Sequence, residues 1–444
     1  MKLLTHPRLL SASLRRADKT LVRGAMWAFG LNGAGLALGF VTQAILARTL
    51  GSKGFGLYLY VLGWSNVAGL LCALEFSHAA VRYVSSYSAT HDWASMRGFL
   101  RRSHQIVGAI TGLVGLIAAI VLVSTKLERE TQFCFLVASG LFPLTSLIQL
   151  QGGCLLGLKR VRQSQAPFQV VRPALFAIGL LSLAYVLGRS FDAADAIAIQ
   201  FFATGLALSI TAWFLRSAVP RAAMSVAPVY HTMEWVRASS HFVAISIAQL
   251  VLSTQADLLF VGALVGTVAT GLYGAASQFA TLVAVGSTAI MVIAQPMIAD
   301  LYARNRIPEL ARLSRQIMLL TILASMPVFV GVVVFGRQLL HLYGAQFEPA
   351  YPVLVVLATS QLVAAVVGML LGYLFTMTAH QQMATKIIGA SAALNIVLTL
   401  ILTPWLGMIG TATATATATL VRSIALAVAG RKILKEYPAA RAAS

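Results

Sequence analysis

Apolar residues in this chain fall in long unbroken blocks, with neither the strict alternation of a half-buried strand nor the heptads of a coiled coil. The blocks lie at about 25–47, 55–76, 104–124, 132–156, 167–188 and 195–215. After a polar stretch they resume at 241–264, 272–299, 316–336, 350–377, 387–404 and 408–430. Each approaches the ~20 residues a helix needs to cross ~30 Å of hydrocarbon. The pattern predicts an all-α membrane protein of about twelve transmembrane helices. The first block begins near Ala25 and runs past the length of a signal-peptide core, so it reads as the first span. One segment, Thr411 to Thr419, alternates threonine with alanine. A lone strand would leave backbone groups unpaired in lipid, so this segment too is expected to be helical, with a small-residue face for close helix packing.

The longest internal polar break, Arg216 to Ser240, holds Pro220, Pro228 and three arginines. It divides the chain into a basic start (1–24), a six-helix lobe (25–215), a linker (216–240), a second six-helix lobe (241–430) and a tail (431–444). The halves echo each other at an offset of 215 residues. Leu50-Gly51 with Gly56-Leu57-Tyr58 answers Val265-Gly266 with Gly271-Leu272-Tyr273. Leu155-Leu156-Gly157 answers Leu370-Leu371-Gly372, and Tyr87 answers Tyr302. An even number of helices per copy predicts a pseudo-two-fold axis along the membrane normal.

Charge adds orientation. The net charge is +20, and only 10% of residues are charged. A soluble domain carries roughly 25%. The cations lie between apolar blocks, which points to lipid and topology and away from nucleic acid. With twelve spans, 25 of the 33 Lys/Arg fall on the side of the termini. Six, namely Arg48, Lys53, Lys126, Arg129, Arg189 and Arg337, fall on the other, and Arg172 and Arg422 lie inside blocks. Both termini are therefore expected in the cytoplasm of a bacterial inner membrane. Cys72, Cys134 and Cys154 sit in or beside apolar blocks and read as small hydrophobic residues.

Charge within a span is expensive and faces a cavity or partner. Asp257 is the sharpest case. Gln249, Ser253 and Asp257 are four apart, so they are expected to share one helix face. A role in ion coupling or gating competes with a structural pairing to an arginine. Arg172, before Pro173, offers a guanidinium fork to a diphosphate, or snorkels to a nearby interface. Arg48, at the outer end of the first span, lines a cavity or anchors an interface. Arg82, just past the second span, is placed to meet incoming headgroups, although positive-inside bias explains it equally well; Glu75 is its expected partner. No Gly-Lys dipeptide occurs, so there is no P-loop, and no H-E-x-x-H occurs. Nothing calls for a metal, a cofactor or catalytic residues.

Several segments resemble the bacterial polysaccharide flippases of the Wzx-like family: ARTLGSKGFGLYLY, LEFSHAAVRYVSSYSA, QADLLFVGALVGTVATGLYGAASQ, LHLYGAQFEPAYPVLVVLATSQL and GMIGTATATA. That family belongs to the MOP superfamily, with the MATE drug exporters and the lipid II flippases. The resemblance implies two six-helix lobes around a central cavity and movement of undecaprenyl-diphosphate-linked oligosaccharide between leaflets. It also implies polysaccharide polymerase and chain-length proteins as partners. Two other functions compete: a MATE-like cation or drug antiporter, and a membrane polysaccharide polymerase or ligase. The first would favour acidic cavity residues, and the second needs a large periplasmic loop.

Overall fold

The computed structural model describes residues 7–125, 128–186, 191–303, 306–369, 371, 375 and 381–442. Of the positions singled out above, Lys126, Arg189, Leu370 and Gly372 lie outside the described residues. All regular structure among the described residues is helical, as lipid demands when no strand can close a ladder.

The first half contains α1 (Pro7–Ala73), α2 (Phe76–Thr90), α3 (Trp93–Ser124), α4 (Arg129–Gly157), α5 (Val161–Ala166), α6 (Arg172–Leu181) and α7 (Ala193–Ala218). A π-helical turn, Pro167–Val171, joins α5 to α6. After the short α8 (Arg221–Ser225) come α9 (Thr232–Val251), α10 (Thr254–Leu264), α11 (Thr267–Ala280), α12 (Leu282–Ala303) and α13 (Ile307–Val334). The chain ends with α14 (Gly336–His341), α15 (Tyr351–Val363), α16 (Gln381–Leu406) and α17 (Met408–Ala442). The threonine-alanine run lies in α17. Two of its hydroxyls turn onto helix carbonyls, Thr413 on Gly410 at 2.9 Å and Thr417 on Thr413 at 2.7 Å, and its Ala412, Ala414 and Ala418 are buried.

Nine helical segments among the described residues are long and apolar enough to cross a membrane, or ten with the bent pair α11–α12, which turns by 43°. The expected twelve blocks exceed this for local reasons. Gly33–Ala73 is one apolar segment of 41 residues, about 60 Å at 1.5 Å per residue, or twice the hydrocarbon thickness. Gly51, at φ 67 and ψ −179, breaks it into two pieces of bilayer length. The block at 241–264 is interrupted between α9 and α10.

Gly266 also has a positive φ, 114, and is 215 residues from Gly51. Both repeat copies thus break the helix at the same point with the residue that tolerates the left-handed region. Beyond these breaks α1 and α11 cross in direct contact. A Cβ on Gly56 would lie 1.7 Å from the Thr267 carbonyl oxygen, and one on Gly271 would lie 2.2 Å from that of Ser52. Ser52 and Thr267 are themselves 215 apart, so the contact is made by repeat-equivalent residues.

The main buried core gathers residues from both halves around this crossing, including Leu46, Phe55 and Tyr58 with Phe279, Tyr343 and Phe347. A second core joins α2, α3 and α4 to Trp235 of α9. There the polar break 216–240 is held along its length. Val229 N–H donates to the Ala94 carbonyl at 3.1 Å, and the Trp235 indole donates to the Tyr87 hydroxyl at 3.0 Å.

Candidate translocation site

Asp257 stands in the first turn of α10, because the helix stops at Val251 and restarts at Thr254. Ser253 between them is extended, with φ −100 and ψ 158. The expected continuous face of Gln249, Ser253 and Asp257 therefore does not exist. The break gives Asp257 something a continuous helix would not, a position at the positive end of a helix dipole. The carboxylate is fully buried. Its Oδ2 accepts from the Tyr273 hydroxyl at 2.7 Å and its Oδ1 from Thr415 Oγ1 at 2.9 Å. Thr415 Oγ1 also lies 3.3 Å from Asn395 Oδ1. Asn395 Nδ2 donates to the Val251 carbonyl at 3.1 Å, filling one acceptor left open where α9 ends.

These partners come from three different helices and all are neutral. Among the described residues no arginine pairs with Asp257, as the structural alternative would have had it. Thr415 Oγ1 thus links Asp257 Oδ1 and Asn395 Oδ1 in one largely buried hydrogen-bond network. Among the described residues no group of three His, Cys, Asp or Glu converges to hold a metal ion. Tyr273, Asn395 and Thr415 escaped the sequence reading because their proximity is tertiary. Asn395, a polar residue inside an apolar block, was the one local signal.

Arg172 opens α6 directly after the π turn. Its guanidinium lies 4.1 Å over the Phe168 ring, and its Nε is buried with no hydrogen-bond partner. It is within electrostatic reach of buried Tyr58, whose ring stacks on Phe176 at 6.1 Å. An unpartnered cationic donor in a span is a group awaiting water or an anion.

The other two candidates lie elsewhere. Arg48 Nε donates to the Leu342 carbonyl at 2.6 Å, a bond across the halves that caps the end of α14. The Gln346 amide lies 3.3 Å from where a Cβ of Gly51 would stand. Arg82 is exposed in α2, with its guanidinium 5.5 Å over the adjacent Tyr83 ring. The expected Glu75–Arg82 pair does not form. Glu75 lies at the α1–α2 break and meets His78 Nδ1 at 2.7 Å, because its left-handed backbone turns the carboxylate toward α2. Arg48, Arg82, Arg172 and Asp257 thus do not converge on one point. A cavity of about 300 Å³ at the Gly51 end is lined by Lys53, Glu128, Glu130 and Asp192, and by none of the four.

This architecture recurs in solved transporters. The chain superposes on the inward-facing form of a multidrug resistance MATE family transporter of the MOP superfamily with a TM-score of 0.72. The two are 14% identical, over 93% of this chain and 98% of the other. It superposes on the lipid II flippase MurJ, in its inward closed conformation, with a TM-score of 0.63. Identity there is 12%, over 92% of this chain and 87% of the other. The likeness shows the fold: this chain is a multi-pass helical bundle arranged as in those two proteins.

In sequence, residues 21–302 match the family described as polysaccharide biosynthesis protein. The match takes in more than half of the chain, and the chain belongs to that family. Stage V sporulation protein B of Bacillus subtilis is 25% identical over 169 residues, which are 36% of this chain and 33% of that protein. The chain thus aligns with about a third of that relative's length.

Proposed function

We propose that the protein moves undecaprenyl-diphosphate-linked oligosaccharide from the cytoplasmic to the periplasmic leaflet of a bacterial inner membrane. Residues 25–215 and 241–430 act as two lobes in alternating access. The observation that carries this reading is Arg172, a half-buried arginine with an unpartnered Nε inside a span, in a member of a polysaccharide biosynthesis family. A diphosphate cannot cross bare hydrocarbon, and a guanidinium offers it a fork of donors. With both termini cytoplasmic, the Gly51 end faces the periplasm. There the α1–α11 crossing and the Arg48 bond to Leu342 hold the exit shut. Arg82 lies on the cytoplasmic side, where headgroups arrive. Asp257 couples the cycle to a proton or a small cation.

Reconstituted proteoliposomes test this. Arg172→Ala is expected to lower flipping of a fluorescent undecaprenyl-diphosphate-linked sugar by about tenfold or more at unchanged protein abundance, as loss of a charged hydrogen bond implies. Arg172→Lys should restore part of it. Asp257→Asn should make the rate insensitive to an imposed proton or sodium gradient. Full activity of Arg172→Ala would sink the proposed role of that residue. The buried carboxylate of Asp257 also suits a cation antiporter. Gradient-driven export of an organic cation by liposomes that move no lipid-linked sugar would select that function instead.

A further inference from the structure

The helix α3 is longer than its apolar block. It runs Trp93–Ser124, while the block begins near residue 104. Its first turns therefore stand beyond the hydrocarbon, and Arg102 lies about 3 Å outside it. A headgroup layer is about 5–8 Å deep on each side of the bilayer, so Arg102 stands within it. Eighteen residues make five full helical turns, so positions eighteen apart lie on one line. Gly98 is in line with Leu116, and Arg102 with Ile120. Leu116 and Ile120 are each 59% exposed on an apolar span, which marks this line as facing lipid.

The linker covers the end of that same line. A Cβ on Gly98 would lie 1.7 Å from the Val229 carbonyl oxygen, and the Val229 N–H bonds to the Ala94 carbonyl. Arg97 donates to the Val226 carbonyl, and the Arg102 guanidinium lies 4.7 Å over the Tyr230 ring. The segment Val226–Tyr230 is thus a strap on the outside of the bundle, at the height where α3 leaves the lipid. What it turns outward is part apolar and part basic. Met224, Val229 and Tyr230 are exposed, and Met233 just beyond is 81% exposed. Residues 92–105 and 216–240 together hold six arginines against two acids. Of those acids, Asp92 caps α3 and Glu234 accepts from the Tyr83 hydroxyl at 3.1 Å. Aromatic and apolar side chains set among arginines at a membrane edge suit a layer of anionic headgroups.

We propose that the linker strap is a binding surface for anionic phospholipid: Val229 and Tyr230 lie in the headgroup layer beside α3, and the exposed Arg101 and Arg221 take the lipid phosphates. A guanidinium offers phosphate a fork of donors, and no acid is placed to neutralise either residue by a printed ion pair or hydrogen bond. Arg97 and Arg102 have a different task, since their contacts hold the strap on the helix. Arg101 and Arg221 can therefore be removed without loosening it. The surface belongs to the outer wall of the bundle, so it stands whichever substrate crosses between the lobes.

The test places the photo-crosslinking residue p-benzoylphenylalanine at Val229 of the full chain, in nanodiscs of equal parts phosphatidylglycerol and phosphatidylcholine. After irradiation the adducts are weighed by mass spectrometry. Phosphatidylglycerol adducts are expected to exceed phosphatidylcholine adducts by about fivefold, the scale of one surface arginine on an anionic membrane. Arg101→Gln combined with Arg221→Gln should bring that ratio below about twofold, and high salt should lower it as well. Lys159→Gln combined with Arg160→Gln removes the same charge from the exposed turn after α4 and should leave the ratio unchanged. Equal adducts of both lipids on the otherwise unaltered chain would reduce the strap to an apolar contact and overturn the site. An equal fall in the control pair would do the same, because net charge alone would then explain the preference. Adducts to protein with none to lipid would assign the strap to a second copy or another partner.

Discussion

The two halves are alike where they touch and unlike where they hold charge. Gly51 and Gly266 break the backbone at equivalent points, and Gly56 and Gly271 meet the equivalent carbonyls of Thr267 and Ser52. Two turns beyond each break lies a buried tyrosine, Tyr58 in one copy and Tyr273 in the other, again 215 apart. There the likeness ends. Tyr58 stacks on Phe176 near Arg172, a cation with an unfilled donor. Tyr273 donates to Asp257, an anion whose two oxygens both have partners. Neither side of the shared contact can accept a Cβ, whereas the buried polar positions carry opposite sign. On the proposed function, the first half suits an anionic headgroup and the second a small cation.

The largest expected effect probes the shared contact. Gly56→Ala or Gly271→Ala places a methyl against backbone carbonyls that have no side-chain freedom to yield. Each should cost about 3 kcal/mol or open the crossing, whereas Gly331→Ala, beside open space, should be near neutral. Disulfide formation between cysteines at Ser52 and Thr267 measures it. The glycine variants should slow cross-linking several-fold, and an unchanged rate would mean that the crossing is looser than its geometry requires.

A smaller effect separates the tyrosines. Tyr273→Phe removes a donor from a buried carboxylate and should lower thermal stability in detergent by about 1–3 kcal/mol. Tyr58→Phe keeps its ring stack and should change stability by less than about 1 kcal/mol. Equal losses would erase the asymmetry on which the comparison rests.

The smallest effect compares the starts of α3 and α13, which lie at matching places in the two copies. Asp92 caps α3, accepting from the Ser95 N–H at 3.0 Å, and that bond holds its carboxyl below its ordinary range. Alanine there should cost about 1 kcal/mol. At α13 the exposed Arg306–Glu309 pair, at 3.4 Å, takes the place of a cap, and Glu309→Ala should cost under about 0.5 kcal/mol. Because the folded state lowers the Asp92 pKa, its contribution is complete above the unfolded value of about 3.9. It fades as pH falls below that. Melting curves of both variants at pH 7 and at pH 3 check the sign, since the Asp92→Ala deficit should shrink at the lower pH.

The membrane class, nine or ten of the twelve expected spans, the helical threonine-alanine run and the 215-residue spacing were legible in the sequence because each is a local or periodic property. A span shows itself through twenty apolar neighbours, and a repeat through spacing alone. Asp257 and Arg172 were legible as charges in apolar blocks for the same reason. Their surroundings were not. That Ser253 breaks a helix, that Asp257 binds Tyr273 and Thr415 with no arginine, and that Arg48 reaches the Leu342 carbonyl depend on which helices pack together. Hydropathy is nearly uniform over those helices and cannot say which face meets which. Glycine-to-carbonyl crossings and long-range hydrogen bonds decide that, between residues up to 294 positions apart.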